Sequence, residues 1–472
     1  MRHWLAVACL SALPACALGP DYTRPELPAP AAFREQPAQT ESIADLPWFE
    51  VFRDEALGAH VREALENNRD LQQAAARVEQ ARYLAAVARS PLFPQLGYDA
   101  ATARGDQAVL GGVAPGAPLD NSSLVAANLF WEIDVWGRIR RSAEAARAEL
   151  FATEAVRRGV VLSLVSSVAQ SYFELLELDL EREIGQHSVE AFQSTHDLFL
   201  RQFEGGVTSK LDPLRAEAAL AQAEASLRFV ELAIVATENQ LAVLLGRPAG
   251  DLARGAALTA QALPPEVPPG IPSELLERRP DLLEAEQTLI AANARIGVAF
   301  TGYFPRIGLS ALGGSASTDL SDLLDSGTGL WSLAASAAGP IFTAGQTTYD
   351  WRAAEAASAA SRAAYEGAVL NALREVSDAL SAREKLALVR VQQERAVDAL
   401  RESVEMATTR YVSGLSSYFE VLDAQQELYP AEYDLARTRR DEQLAVVALY
   451  RALGGGWNAD LREPEIPLPL AP

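Results

Sequence analysis

Four side chains in the last quarter of the chain, Phe419, Glu420, Asp423 and Glu427, stand at the i+3, i+4 and i+7 spacings that gather on one face of a helix. Three carboxylates beside an aromatic ring suit two tasks. Crowded acids bind cations and raise one another's pKa, and an apolar ring resists wetting. The same pattern also describes an ordinary solvated helix face, and spacing alone does not separate the two readings. No other set of residues offers a rival chemistry. The four histidines, His3, His60, His187 and His196, lack metal-site spacing, and no glycine-rich loop followed by lysine is present to cradle a phosphate. The two cysteines, Cys9 and Cys16, both fall within the first sixteen residues, so no thiol nucleophile or disulfide framework exists downstream. The sequence therefore predicts no catalytic residues, no metal site, no cofactor and no enzyme.

The acidic face belongs to a long unit that occurs twice. Sliding the chain by 208 positions lays Gly137 on Gly345, Gly206 on Gly414 and Gly246 on Gly454. Between them Phe203 falls on Tyr411, Ser209 on Ser417, Asp212 on Glu420, Leu214 on Leu422 and Ala216 on Ala424. Upstream the offset becomes 211, with Asp70-Leu71 on Asp281-Leu282 and Leu92-Phe93-Pro94 on Tyr303-Phe304-Pro305. Each half reads as short helix, helix, strand pair, long helix, turn and helix. The chain is a duplication.

Composition narrows the partners. A formal charge of −22 without large Arg clusters makes nucleic acid improbable, since phosphate binding needs a basic face. Much of the apolar fraction is alanine, which favours close-packed helices over a thick core. Residues 1–15 carry Arg2, an apolar run from Leu5 to Leu13, and then Leu13-Pro14-Ala15 before Cys16. This is the pattern of a bacterial secretion signal ending in a lipobox, although Pro14 departs from the usual choice at its position. It resembles a lipoprotein signal, which implies a lipid on Cys16, and Ala17 in the next position implies sorting to the outer membrane.

In order, residues 16–53 are a proline-spaced extended arm, 54–246 the first repeat, 247–270 a Pro/Gly-rich linker, 271–456 the second repeat and 457–472 a tail. Helices are expected from Asp54 to Asn67, Arg69 to Arg89, Pro272 to Arg278 and Pro280 to Thr301. Alternation of apolar and polar residues predicts strands near 94–106, 123–136, 305–316 and 329–342, with Phe130 the exception to the pattern. Hairpins of helix follow at 138–246 and 345–454. Their first arms, about 65 residues each, reach roughly 100 Å. No uninterrupted apolar run reaches the length of a membrane-spanning helix.

Four strands with open edges cannot sit in lipid alone, because unpaired backbone groups cost several kcal/mol apiece there. Three chains supply about twelve strands, enough for a closed barrel wider than side chains can fill. Aromatic residues at the strand ends, Phe93, Trp136, Phe304 and Phe342, suit interfacial girdles. A four-stranded soluble sheet capped by coiled coil is the plainer alternative.

The tandem halves, the segment Gly19-Pro20-Asp21-Tyr22-Thr23-Arg24-Pro25 and the turn Arg410-Tyr411-Val412-Ser413-Gly414 through Phe419-Glu420 to Asp423 resemble TolC-like outer-membrane efflux proteins, in the lipoprotein branch that serves resistance-nodulation-division (RND) pumps. The resemblance covers nearly the whole chain. It implies a mainly α fold with a small membrane β-barrel: a homotrimeric α-helical barrel topped by a twelve-stranded β-barrel, lipid-anchored in the outer membrane and extending into the periplasm. It also implies passive conduction of drugs or small toxic compounds, with a periplasmic adaptor and an inner-membrane pump as partners. The family's closed entrance carries acids at the positions of Glu420 and Asp423, and in this branch an apolar ring at Phe419. Some relatives place an Arg at the position of Ser416, so Tyr411 or Asp212 is expected to supply the hydrogen bonds instead. The turns at Gly205, Gly206 and Gly414 are the expected adaptor-docking tips. Two other uses remain open: the same duct in type I protein secretion, and a non-conducting periplasmic scaffold lipoprotein.

Overall fold

The computed structural model describes residues 17–26, 52–104, 121–261 and 275–455. Asp54 caps the first helix, α1 (Glu55–Asn67), by accepting from the Leu57 amide at 3.0 Å, and Asn68 caps α2 (Arg69–Arg89) through the Leu71 amide at 3.0 Å. Pro91 and Pro94 prevent the helix from continuing, and the chain leaves as β1 (Gln95–Arg104). Strand β2 (Asn121–Ile133) returns antiparallel to it and feeds α3 (Arg138–Glu204), from which α4 (Leu211–Leu244) folds back. The second half supplies α5 (Leu275–Arg278), α6 (Pro280–Phe300), β3 (Arg306–Ser317), β4 (Gly329–Ala338), α7 (Gln346–Val412) and α8 (Phe419–Ala452). Helices α3 and α7 each have 67 residues and α4 and α8 each have 34, so the duplication holds residue for residue through both hairpins.

The repeated glycines mark the points where the backbone turns left-handed. Gly206 and Gly414, with φ of +72° and +71°, close α3 and α7. At each, the glycine amide and the next amide bond back to carbonyls of the last turn: Gly206 to Phe203 and Val207 to Gln202, Gly414 to Tyr411 and Leu415 to Arg410. A side chain with a Cβ adopts that conformation only at a cost of about 1–2 kcal/mol.

Among the described residues the strands form one antiparallel sheet in the order β1-β2-β3-β4, with β1 and β4 as open edges. The register sorts the two faces. Leu96 pairs with Leu129, Ala311 and Leu333 across the sheet, and Tyr98 with Ala127, Gly313 and Trp331, so one face is apolar. Asp99, Asn128, Ser310 and Ser332 stand on the other, where Phe130 breaks the pattern by lying over Gly308. Tyr98 and Trp331 are 84% and 83% exposed, an apolar face uncovered by any described residue of its own chain.

Below the sheet, α3 is the spine, packed by α1, α2, α4, α6 and α8. The main core gathers Leu57, Tyr172, Phe173, Leu175, Val376 and Leu449, and a second cluster is all alanine, with Ala145 and Ala148 of α3 against Ala291 and Ala294 of α6. The first ten described residues of the arm lie on this body. Asp21 pairs with Arg141 at 2.7 Å, while Tyr22 and Arg24 both donate to the buried Glu286, at 2.9 and 2.7 Å. Arg141 belongs to the first repeat and Glu286 to the second, so the arm staples the halves together.

Several expectations shift. Strand β2 ends at Ile133 rather than 136, because the Trp136 indole N–H donates to the Pro305 carbonyl at 2.8 Å and its ring stacks on Phe304 at 4.7 Å. Strand β4 stops at Ala338 rather than 342, since Pro340 has no N–H to extend the ladder. Two of the four expected girdle aromatics thus pack on each other, while Phe93 and Phe342 stay exposed. Pro272, residues 1–16, most of the arm, the end of the linker from residue 262, and the tail lie outside the described residues. One stretch of α3 is apolar enough to cross a membrane by length and composition, contrary to the reading from uninterrupted runs, but most of it is buried in the core.

Candidate gate at the second hairpin tip

The turn at Gly414 carries the chain through Leu415, Ser416 and Ser417 into α8, which starts at Phe419 with Tyr418 as its N-cap. Helical periodicity then divides the first turns. Val421, Ala424, Gln425 and Leu428 are buried against the body. Phe419 (60% exposed), Glu420, Asp423 and Glu427 occupy the opposite face. The four residues singled out by spacing therefore do share one open face, at the far end of the hairpin from the sheet.

Glu420 has a neighbour that the spacing did not reveal: the Arg410 guanidinium lies 3.5 Å from its carboxylate, with both side chains half exposed. Such a pair contributes little in water. Tyr411 accepts a hydrogen bond from Gln202 of the first hairpin at 2.8 Å. Asp212 does not reach across. Its carboxylate accepts from Thr208 and, at 3.4 Å, from Ser209, both in its own turn, because the first residues of α4 fold it back over the preceding loop. Of the two candidates to replace an Arg at position 416, only Tyr411 bonds between hairpins.

Tyr418 sits deeper. Its ring meets Phe199 of α3 edge-on at 4.7 Å and Tyr411 edge-on at 4.9 Å, and its hydroxyl shares a hydrogen bond with Thr195. Burial pushes the Tyr418 hydroxyl pKa up, so it holds its proton at any physiological pH. Higher on the same helix, Tyr429 packs against Phe192 at 5.7 Å. Sequence reasoning missed this ladder, although Phe192 and Phe199, seven apart on one helix, were its visible half.

Gly206 and Gly414 have nothing within 4 Å of where a Cβ would stand, so both tips are open to close approach. Gly205 is different, with φ of −77° in ordinary helical conformation, and only Gly206 needs to be glycine for the turn.

Farther up, two buried acids on α3, Glu177 and Glu181, meet two arginines on α8. Arg440 lies 3.1 Å from Glu177 and Arg437 lies 3.0 Å from Glu181. Burial and the Glu181 carboxylate push the Glu177 carboxyl up to about 7, against the pull of Arg440. Between this clamp and the tip, α8 contains Pro430, beside a groove of about 590 Å³ lined by Gly185, Phe192, Phe229, Tyr429 and Tyr433. Among the described residues no group of three or more His, Cys, Asp or Glu side chains could hold a metal.

An open-edged sheet with one apolar face, set on duplicated helical hairpins, is an architecture with known relatives. The family model for outer membrane efflux proteins matches residues 60–247 and 271–455. The chain belongs to the outer membrane efflux protein family. It is 35% identical over 466 residues to the solvent efflux pump outer membrane protein SrpC of Pseudomonas putida, covering 96% of this chain and 98% of that one. It is 31% identical over 458 residues to the probable outer membrane lipoprotein SilC of Salmonella typhimurium, covering 96% and 98%. Among solved structures, the open state of the Neisseria gonorrhoeae MtrE outer membrane channel superposes with a TM-score of 0.82 at 31% identity, covering 93% of this chain and 98% of that one. The protein is thus an outer-membrane efflux channel, mainly helical with a four-stranded share of a β-barrel, and its family is one of ducts rather than of enzymes.

Proposed function

We propose that three copies of this chain close into one duct that takes small toxic compounds from an RND-type pump and its periplasmic adaptor to the exterior, gated at the second hairpin tip. The observation that carries this reading is the sheet: strands of 10 to 13 residues, apolar on one face and polar on the other, end in two unpaired edges. In hydrocarbon those edges must be paired, and β4 of one copy against β1 of the next pairs them without a new element. The apolar face then meets lipid and the polar face lines water.

Threefold symmetry sets Glu420 and Asp423 around one mouth beneath a ring of Phe419. Crowded carboxylates attract cations and the aromatic ring resists wetting, so the mouth stays shut until contact with adaptor or pump moves it. The open glycine tips at 206 and 414 suit adaptor docking, and Cys16, outside the described residues, takes the lipid. The closed barrel needs no chemical energy of its own.

Detergent-extracted protein should have three times the mass of one chain, and a deletion strain should become sensitive to several classes of toxic compound. A monomer in detergent, or unchanged susceptibility together with loss of one secreted protein, overturns the proposal.

A further inference from the structure

From the packing around α8 we infer that Tyr418 is the latch of the entrance, and that Pro430 is the hinge about which the first eleven residues of α8 swing when the latch releases. The inference rests on the gate reading above and assigns to it a positioning residue and a pivot.

Helix α8 is held to α3 at two levels, with the ring contact of Tyr429 on Phe192 between them. At the upper level, Arg437 and Arg440 engage the buried carboxylates of Glu181 and Glu177, which leaves this part of the helix fixed. At the lower level, Tyr418 makes two edge-on ring contacts and one hydrogen bond, to Phe199, Tyr411 and Thr195. Between the two lies Pro430, which cannot donate to the carbonyl of Gln426 and so removes one rung of the helix. The groove beside Pro430 leaves room for the helix to bend without expelling a packed side chain. A segment with a firm top, a missing rung next to Tyr429 and an aromatic anchor at its foot pivots at the missing rung when that anchor lets go.

The first hairpin lacks the anchor and the missing rung. The residue matching Tyr418 is Lys210, which is exposed, and the position matching Pro430 is Gln222. Its tip therefore serves as the fixed post to which the second tip is tied. Tyr418 touches neither Phe419 nor the acids through its ring contacts, so it acts on the mouth by holding the start of α8 in place.

The test is single-channel recording of purified full-length trimers in planar bilayers. Tyr418→Ala should raise the mean conductance about tenfold, while Tyr418→Phe and Thr195→Val should each raise it about threefold, with no further gain when combined, because both remove the same hydrogen bond. Tyr450→Leu removes a buried ring of equal size from α8 in the main core, well above the hinge and its groove, and should leave conductance at the wild-type level. Asp423→Ala in parallel reports on the gate itself. If Asp423→Ala alters conductance and Tyr418→Ala does not, the latch is overturned and the gate stands. If neither does, in trimers that insert normally, both are overturned. An increase with Tyr450→Leu as large as that with Tyr418→Ala also overturns the latch, since general loosening would then explain it.

Discussion

The two hairpin tips share one backbone and little chemistry. Both end a 67-residue helix with the same left-handed glycine and the same pair of amide-to-carbonyl bonds, and both begin a 34-residue return after six intervening residues. The side chains diverge. Where the first tip has Lys210, Leu211 and Arg215, the second has Tyr418, Phe419 and Asp423. The acid common to both is used differently: Asp212 closes its own turn through Thr208 and Ser209, whereas Glu420 stands half exposed beside Arg410. Duplication supplied the hairpin, and in the proposed latch it is divergence at a handful of positions that makes one copy a post and the other a moving part.

The sharpest way to break that contrast is to give the second tip the first tip's charge. Asp423→Arg, three times around a trimeric mouth, should weaken block by divalent cations about a hundredfold in bilayer recordings. Arg215→Ala at the matching position should change it hardly at all. An equal effect at the two sites would mean that the tips are interchangeable.

The next effect should be the same in both hairpins. Gly206→Ala and Gly414→Ala meet no neighbour, only the left-handed backbone, so each should cost about 1–2 kcal/mol per chain in denaturant melts. Gly205→Ala, at a helical φ, should cost less than either.

How much of this was legible in the sequence follows from the physics of each element. The glycines at the 208-residue spacing were readable because only glycine tolerates the backbone they occupy. The strands were readable because one apolar and one polar face impose a period of two. Their ends were not, since Trp136 and Pro340 stop β2 and β4 through a side-chain bond and a missing amide rather than through any change of pattern. The acidic face of α8 was visible as helical spacing. Its holder was not: Tyr418 reads as one more turn residue until Thr195 and Phe199, over two hundred positions away, are brought against it. The same holds for Glu177 and Glu181, which look like a solvated pair until Arg437 and Arg440 cover them.

That buried clamp gives a pH prediction for the upper half of the contact. The folded-state Glu177 carboxyl stands near 7 and the unfolded one near its ordinary 4.5, so the folded protein retains a proton there that the unfolded chain releases. Stability should therefore fall as pH rises through this window, and Glu177→Gln should flatten the decline, by about 2–4 °C in melting temperature between pH 5 and 7.5. A steeper decline in Glu177→Gln would reverse the assignment. The smallest effect should come from Arg410→Ala, whose half-exposed pair with Glu420 is worth less than about 1 kcal/mol in a melt.

The central claim, that one chain is a third of a closed wall whose second tip shuts it, is tested most directly by recording current through the purified, detergent-extracted protein before and after Tyr418→Ala. Small, cation-selective steps that grow about tenfold in the variant are the predicted result. Membranes that carry no current with either protein, although it inserts as an intact trimer, would contradict it.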